Sequence, residues 1–135
     1  MKLLHIFESL GFNTLKDKLL SLGGTDVNEV YEENLSELLQ KGVLFNPSKV
    51  VIVKMDVSKC HSNSACFWGN YTNEHGKESL KIATGWVLDG EKWYQHSWLY
   101  QPKTNKIIET THKRKLYFGY ILSTEEAERF YFDNY

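Results

Sequence analysis

The sequence predicts an α+β fold: N-terminal helices, a cysteine-bearing helix packed on a four-stranded antiparallel sheet, and a closing C-terminal helix. Three observations carry that prediction. Apolar residues recur at helical spacing over the first 45 residues. β-Branched and aromatic runs separated by turn signals fill residues 80–121. The string Ser123-Thr124-Glu125-Glu126 has the form of a helix-starting capping box.

Taken in order, Leu15, Leu19 and Leu20 repeat at helical spacing, and Gly23-Gly24 stops that segment. Val27, Val30, Tyr31, Leu35, Leu38 and Leu39 form a second amphipathic face, ending at Lys41-Gly42. Val50-Val51-Ile52-Val53 is short enough for a buried strand or an extended segment entering the core. Cys60 to Trp68 can begin a short helix, with Ser58 as its N-cap, and the polar stretch from Gly69 to Lys77 reads as a loop. Leu80–Leu88 and Trp93–Tyr100 flank the hairpin signal Asp89-Gly90, and strands follow at Lys106–Thr111 and Lys115–Ile121. A last helix is expected from Thr124 to Phe132. Gly85 and Gly119, inside strands, point to bulges or close backbone approach. No repeat, low-complexity tract or linker divides the chain, which reads as a single domain.

The composition narrows the function classes. The 135 residues contain 41% hydrophobic and 24% charged residues, with a net charge of −1. So weak a net charge supplies no long-range attraction for nucleic acid or an anionic membrane, and neither partner is expected. No stretch approaches membrane-spanning length. The N-terminal apolar residues are interrupted by His5, Glu8, Asn13 and Lys16, which argues against a signal peptide and for a cytoplasmic protein. In a reducing compartment Cys60 and Cys66 are thiols, although their spacing leaves pairing open in principle. The two cysteines and five histidines form neither a CxxC nor an HxxxH pattern, so no metal and no cofactor is expected.

Cys60 falls where the central helix begins, and a helix N-terminus stabilises a thiolate, the nucleophilic form of cysteine. His96 falls inside a predicted strand. Side chains alternate along a strand, so His96 shares a face with Trp98, and Ile107, Glu109 and Thr111 share a face on the next strand. An ionisable Glu109 beside Ile107 needs a partner, and His96 is the obvious one. Nucleophile, imidazole and carboxylate are the parts of a catalytic triad.

His96-Ser97-Trp98 followed by Ile107-Ile108-Glu109-Thr110-Thr111 resembles the His-small-Trp and acid-x-Thr pattern of transglutaminase-core proteins. The chain order Cys, His, acid is also similar to bacterial cell-wall endopeptidases of the papain-like superfamily. The resemblance covers roughly residues 55–121, within a core of residues 46–135 behind a helical head of residues 1–45. It implies thiol acyl chemistry on an amide, ester or thioester. Cys60 would be the nucleophile, His96 the general base and acid, and Glu109 the orienting acceptor. A peptide or small acyl substrate would be the partner. The sequence departs from the pattern in having Glu rather than the more usual Asp, and in placing His61 directly after Cys60.

Trp98 is the expected pocket wall, and His61 and Asn63 either line the site or lie on the solvent face of the helix. Trp86, Trp93, Tyr117, Phe118 and Tyr120 read as core and hairpin packing. Cys66 reads as core, and His112-Lys113-Arg114-Lys115 as a solvated turn. The alternative function is a non-catalytic module binding a peptide or small ligand on an inactive papain-like scaffold.

Overall fold

A computed structural model describes residues 2–135, with side chains from residue 11 onward, so His5 and Glu8 lie outside the described side chains. Its elements run α1 (Lys2–Leu22), β1 (Asp26–Val27), α2 (Leu35–Lys41), β2 (Val43–Leu44), β3 (Lys49–Ile52) and α3 (Cys60–His75). They continue with β4 (Lys81–Asp89), β5 (Lys92–Gln101), β6 (Lys106–Glu109), β7 (Leu116–Ile121) and α4 (Thr124–Asn134). The class is the α+β fold that the sequence predicts, but the sheet has seven strands in place of four, in the order β2-β7-β4-β5-β6-β3 with β1 beside β5. The added strands are β1 and β2, two residues each, and the edge strand β3.

The described chain falls into two compact units. The first comprises Met1–Leu44, Gly85–Gln95 and Arg114–Tyr120. Leu15, Leu19, Leu38, Trp86 and Trp93 are buried in it. The amphipathic face expected from Val27 to Leu39 is helical only from Leu35. Ahead of it, β1 pairs in parallel with β5, Val27 opposite Trp93, and the Asn28 N–H donates to the Trp93 carbonyl at 2.8 Å. Glu32 then accepts the Trp86 indole N–H at 2.8 Å and the Asn34 N–H at 2.9 Å. These strand and carboxylate bonds hold residues 26–34 out of a helix, overriding their helical spacing. Gly85 lies against β7, where an added Cβ would sit 2.2 Å from the Phe118 carbonyl oxygen, so the close backbone approach read from the sequence is present.

The second unit comprises Phe45–Thr84, His96–Lys113 and Ile121–Tyr135. Here β3 pairs in parallel with β6, Val50 opposite Ile107 and Ile52 opposite Glu109. β5 pairs antiparallel with β6, Leu99 opposite Ile108. α3 is twice as long as expected and runs through the supposed loop at Gly69. Asn70, Asn73 and Glu74 lie on its solvent side, while Ala65, Trp68 and Thr72 are buried at helical spacing. Gly69 lets α4 come close: a Cβ there would sit 2.3 Å from the Tyr131 ring. α4 begins with the capping box read from the sequence, in which Ser123 Oγ accepts the Glu126 N–H at 3.1 Å and Glu126 accepts the Ser123 N–H at 2.8 Å.

Candidate active site

Every residue expected to do chemistry lies in the second unit. Cys60 is the first residue of α3 and His96 lies within β5, while Glu109 closes β6. The residue preceding the helix is Lys59, not Ser58, and no side chain caps the first turn. Ser58 instead takes a positive φ of 61°, a left-handed conformation uncommon for a side chain with a Cβ. That turn swings the chain from extended to helical, so the leading N–H groups of α3 keep their unpaired positive ends beside Cys60.

β3 and the following loop hold Cys60 in place. The Val53 N–H donates to the Glu109 carbonyl at 2.9 Å, and the Met55 N–H to the Thr110 carbonyl at 2.7 Å. The Asn63 amide, buried in α3, then donates to the Asp56 carbonyl at 2.7 Å. Thus the loop entering the helix is tied at one end to the strand carrying Glu109 and at the other to the helix carrying Cys60.

The ladder between β5 and β6 runs from Leu99 to Gln101 and stops short of Ser97. The Ser97 N–H, no longer used by the ladder, lies where it favours the Cys60 thiolate. One more step of the register puts Glu109 opposite Trp98, on the diagonal from His96. The Glu109 side chain covers that diagonal. His96 Nε2 lies 2.8 Å from Oε1 and 3.1 Å from Oε2, and because a carboxylate only accepts, Nε2 carries the proton. Nδ1 is then the ring nitrogen left to face the Cys60 thiol, whose pKa the imidazole lowers. Glu109 Oε2 also accepts the Thr111 N–H at 3.0 Å and the Thr111 hydroxyl at 2.9 Å. His96 and Glu109 are 2% and 0% exposed, whereas Cys60 is half-buried and open to solvent. The wholly buried Trp98 lies beside the imidazole, ring centroids 6.2 Å apart and planes within 20°, and so braces it from inside the core.

The electrostatics follow from these contacts. Burial pushes the Cys60 thiol up. The His96 hydrogen bond, the imidazolium charge and the Ser97 N–H outweigh it, so the thiol titrates below its ordinary value. Burial pushes His96 down, and hydrogen bonds to Cys60 and Glu109, with the carboxylate charge, lift it above its ordinary value. Both shifts favour one state, thiolate beside imidazolium.

His61 is half-buried, with Nδ1 2.6 Å from Ser97 Oγ and its ring centroid 5.9 Å from that of Phe130. Burial, then the charge of His96, keeps it neutral to lower pH than usual. Asn63 is 4% exposed and anchors the Asp56 loop. The sequence reads Ser58 as an N-cap and shows neither its left-handed turn nor the roles of the Ser97 N–H and the Asp56 carbonyl, because backbone conformation and main-chain bonds leave no residue-type signal. Thr111 was legible through the acid-x-Thr spacing. Cys66 is a free thiol six residues along the same helix, a rise of about 9 Å, so it cannot bridge to Cys60. Among the described residues no group of three or more His, Cys, Asp or Glu is arranged to hold a metal, and no helix is long and apolar enough to cross a membrane. In comparisons with known proteins, the chain matches no family model, no curated protein and no solved structure.

Proposed function

We propose that the protein is a cysteine-dependent hydrolase or acyl transferase acting on an amide, ester or thioester carbonyl. The observation that carries this reading is the convergence of the Cys60 thiol, at an uncapped helix N-terminus, with His96, whose ring Glu109 holds while Thr111 holds Glu109. Cys60 Sγ, as the thiolate, attacks the carbonyl carbon and forms a C–S bond, and the electron pair moves to the carbonyl oxygen. The Cys60 N–H at the head of α3 donates to that oxygen. The tetrahedral intermediate collapses with cleavage of the bond to the leaving group, which takes the proton from His96 Nδ1. Water or an amine then gives a proton to Nδ1 and attacks the thioester, releasing Cys60 Sγ. Glu109 stays ionised throughout and holds the ring in the tautomer that presents Nδ1 to the sulfur.

The test is the rate of iodoacetamide alkylation against pH, read by intact mass, with Cys60 and Cys66 mapped separately. An activated pair makes Cys60 react on the order of 10-fold faster than Cys66 near pH 6.5, and His96→Ala removes the difference. Two thiols that behave alike, with ordinary pH dependence, overturn the catalytic reading in favour of ligand binding on an inactive scaffold.

A further inference from the structure

β3 is the last strand of its sheet, with β6 on one side of it and no strand on the other among the described residues. Parallel pairing turns alternate residues toward the neighbour. Val53 donates to β6, so Val51 faces β6 as well, while the N–H and C=O of Val50, Ile52 and Lys54 point away from the sheet. Exposed apolar side chains line this edge and its continuation: Ile52 is 44%, Val53 38% and Val57 75% exposed. A row of outward main-chain groups between apolar side chains is what an extended polypeptide recognises.

Charge selects the occupant. β3, β6 and the loops at their ends carry Lys49, Lys54, Lys59, Lys103 and Lys106 against one exposed acid, Asp56, in a chain whose net charge is −1. A second copy of this chain pairing along the same edge would bring this lysine cluster against its own like charge, which disfavours it. An acidic strand meets opposite charge at the same positions.

We propose that the free edge of β3 is a docking site for an extended acidic peptide, which pairs with Val50, Ile52 and Lys54 and continues toward Cys60. Met55 and Cys60 are separated by at most about 17 Å of chain, so a peptide of about 12 residues, roughly 40 Å extended, reaches from Lys49 to the thiol. That this peptide is the substrate rests on the thiol reading above; that it binds does not.

The experiment is fluorescence anisotropy with the full chain carrying Cys60→Ala, so that no turnover contributes. The probe is a fluorescein-labelled dodecapeptide of alternating Glu and Val. The controls are the Lys–Val peptide of the same pattern, the Glu–Val peptide N-methylated at alternate residues, and a single-stranded oligonucleotide. The Glu–Val peptide should bind at least tenfold tighter than each control, and Lys54→Glu should weaken it about tenfold. Ile52→Pro, which removes an outward N–H, should weaken it as much, and if that variant does not fold the N-methylated peptide tests the same bond from the ligand side. Equal binding of the acidic and basic peptides, unchanged binding after N-methylation, tighter binding of the oligonucleotide, or no binding overturns the proposal. So does a dimer in sedimentation equilibrium that Ile52→Pro disrupts. Because the alkylation assay does not involve the edge, failure here leaves the thiol reading intact, and failure there leaves peptide docking intact.

Discussion

The length of the Glu109 side chain matters because the register sets the carboxylate on a diagonal from His96 rather than directly across from it. A carboxylate one methylene shorter would fall about 1.5 Å short of Nε2. Glu109→Asp should therefore lower turnover by about 100-fold, since a displacement of about 1 Å at a reacting group has that effect. Glu109→Gln retains the length but can turn an amide N–H toward His96, and should leave measurable residual activity. Cys60→Ser and His96→Ala should each bring turnover to background. An Asp variant as active as the native protein would show that Glu109 does not orient the ring. The pH profile should be bell-shaped, with its acid limb set by thiolate formation and its alkaline limb by loss of the imidazolium proton. The apparent values belong to the coupled pair.

Helix α3 shows how a local rule yields to packing. Glycine in a helix interior costs about 1 kcal/mol relative to alanine, so helix propensity alone predicts that Gly69→Ala stabilises. The Tyr131 ring, 2.3 Å from the added Cβ, reverses that sign. Overpacking costs about 1–3 kcal/mol, and the net effect should be a loss of up to about 2 kcal/mol in denaturant unfolding, relieved by Tyr131→Ala in the same chain. A gain in stability on Gly69→Ala would mean that α3 and α4 are not in tight contact there. At α4 the local rule stands: Ser123→Ala removes the acceptor for the Glu126 N–H and should cost about 1 kcal/mol.

For the protein as a whole, the two shifts at the site make stability depend on pH. His96 is raised, so its contribution is complete below its unfolded value and is lost as pH rises through the folded one. Cys60 is lowered, so its contribution is complete above its unfolded value and is lost as pH falls through the folded one. The attraction between the two exists only where both are charged. The melting-temperature difference between the native protein and Cys60→Ala should therefore peak between the two apparent values and shrink on either side. A difference that is flat with pH would mean the pair is uncharged.

Some of this is legible in the sequence alone, because it depends on near neighbours in the chain. The hairpin at Asp89-Gly90, the capping box at Ser123 and the alternation placing His96 with Trp98 are local patterns with a fixed physical meaning. So is the need of a buried Glu109 for a partner. Only the tertiary structure decided the rest. It laid residues 26–27 against β5 and kept residues 28–34 out of a helix, and it carried α3 through Gly69. It set Ser97 where β6 has ended, and left the edge of β3 open beside the loop that leads to Cys60. Each of these depends on a neighbour distant in the chain, and hydrogen bonds and contacts formed across that distance outweigh the few tenths of a kcal/mol by which local propensities differ.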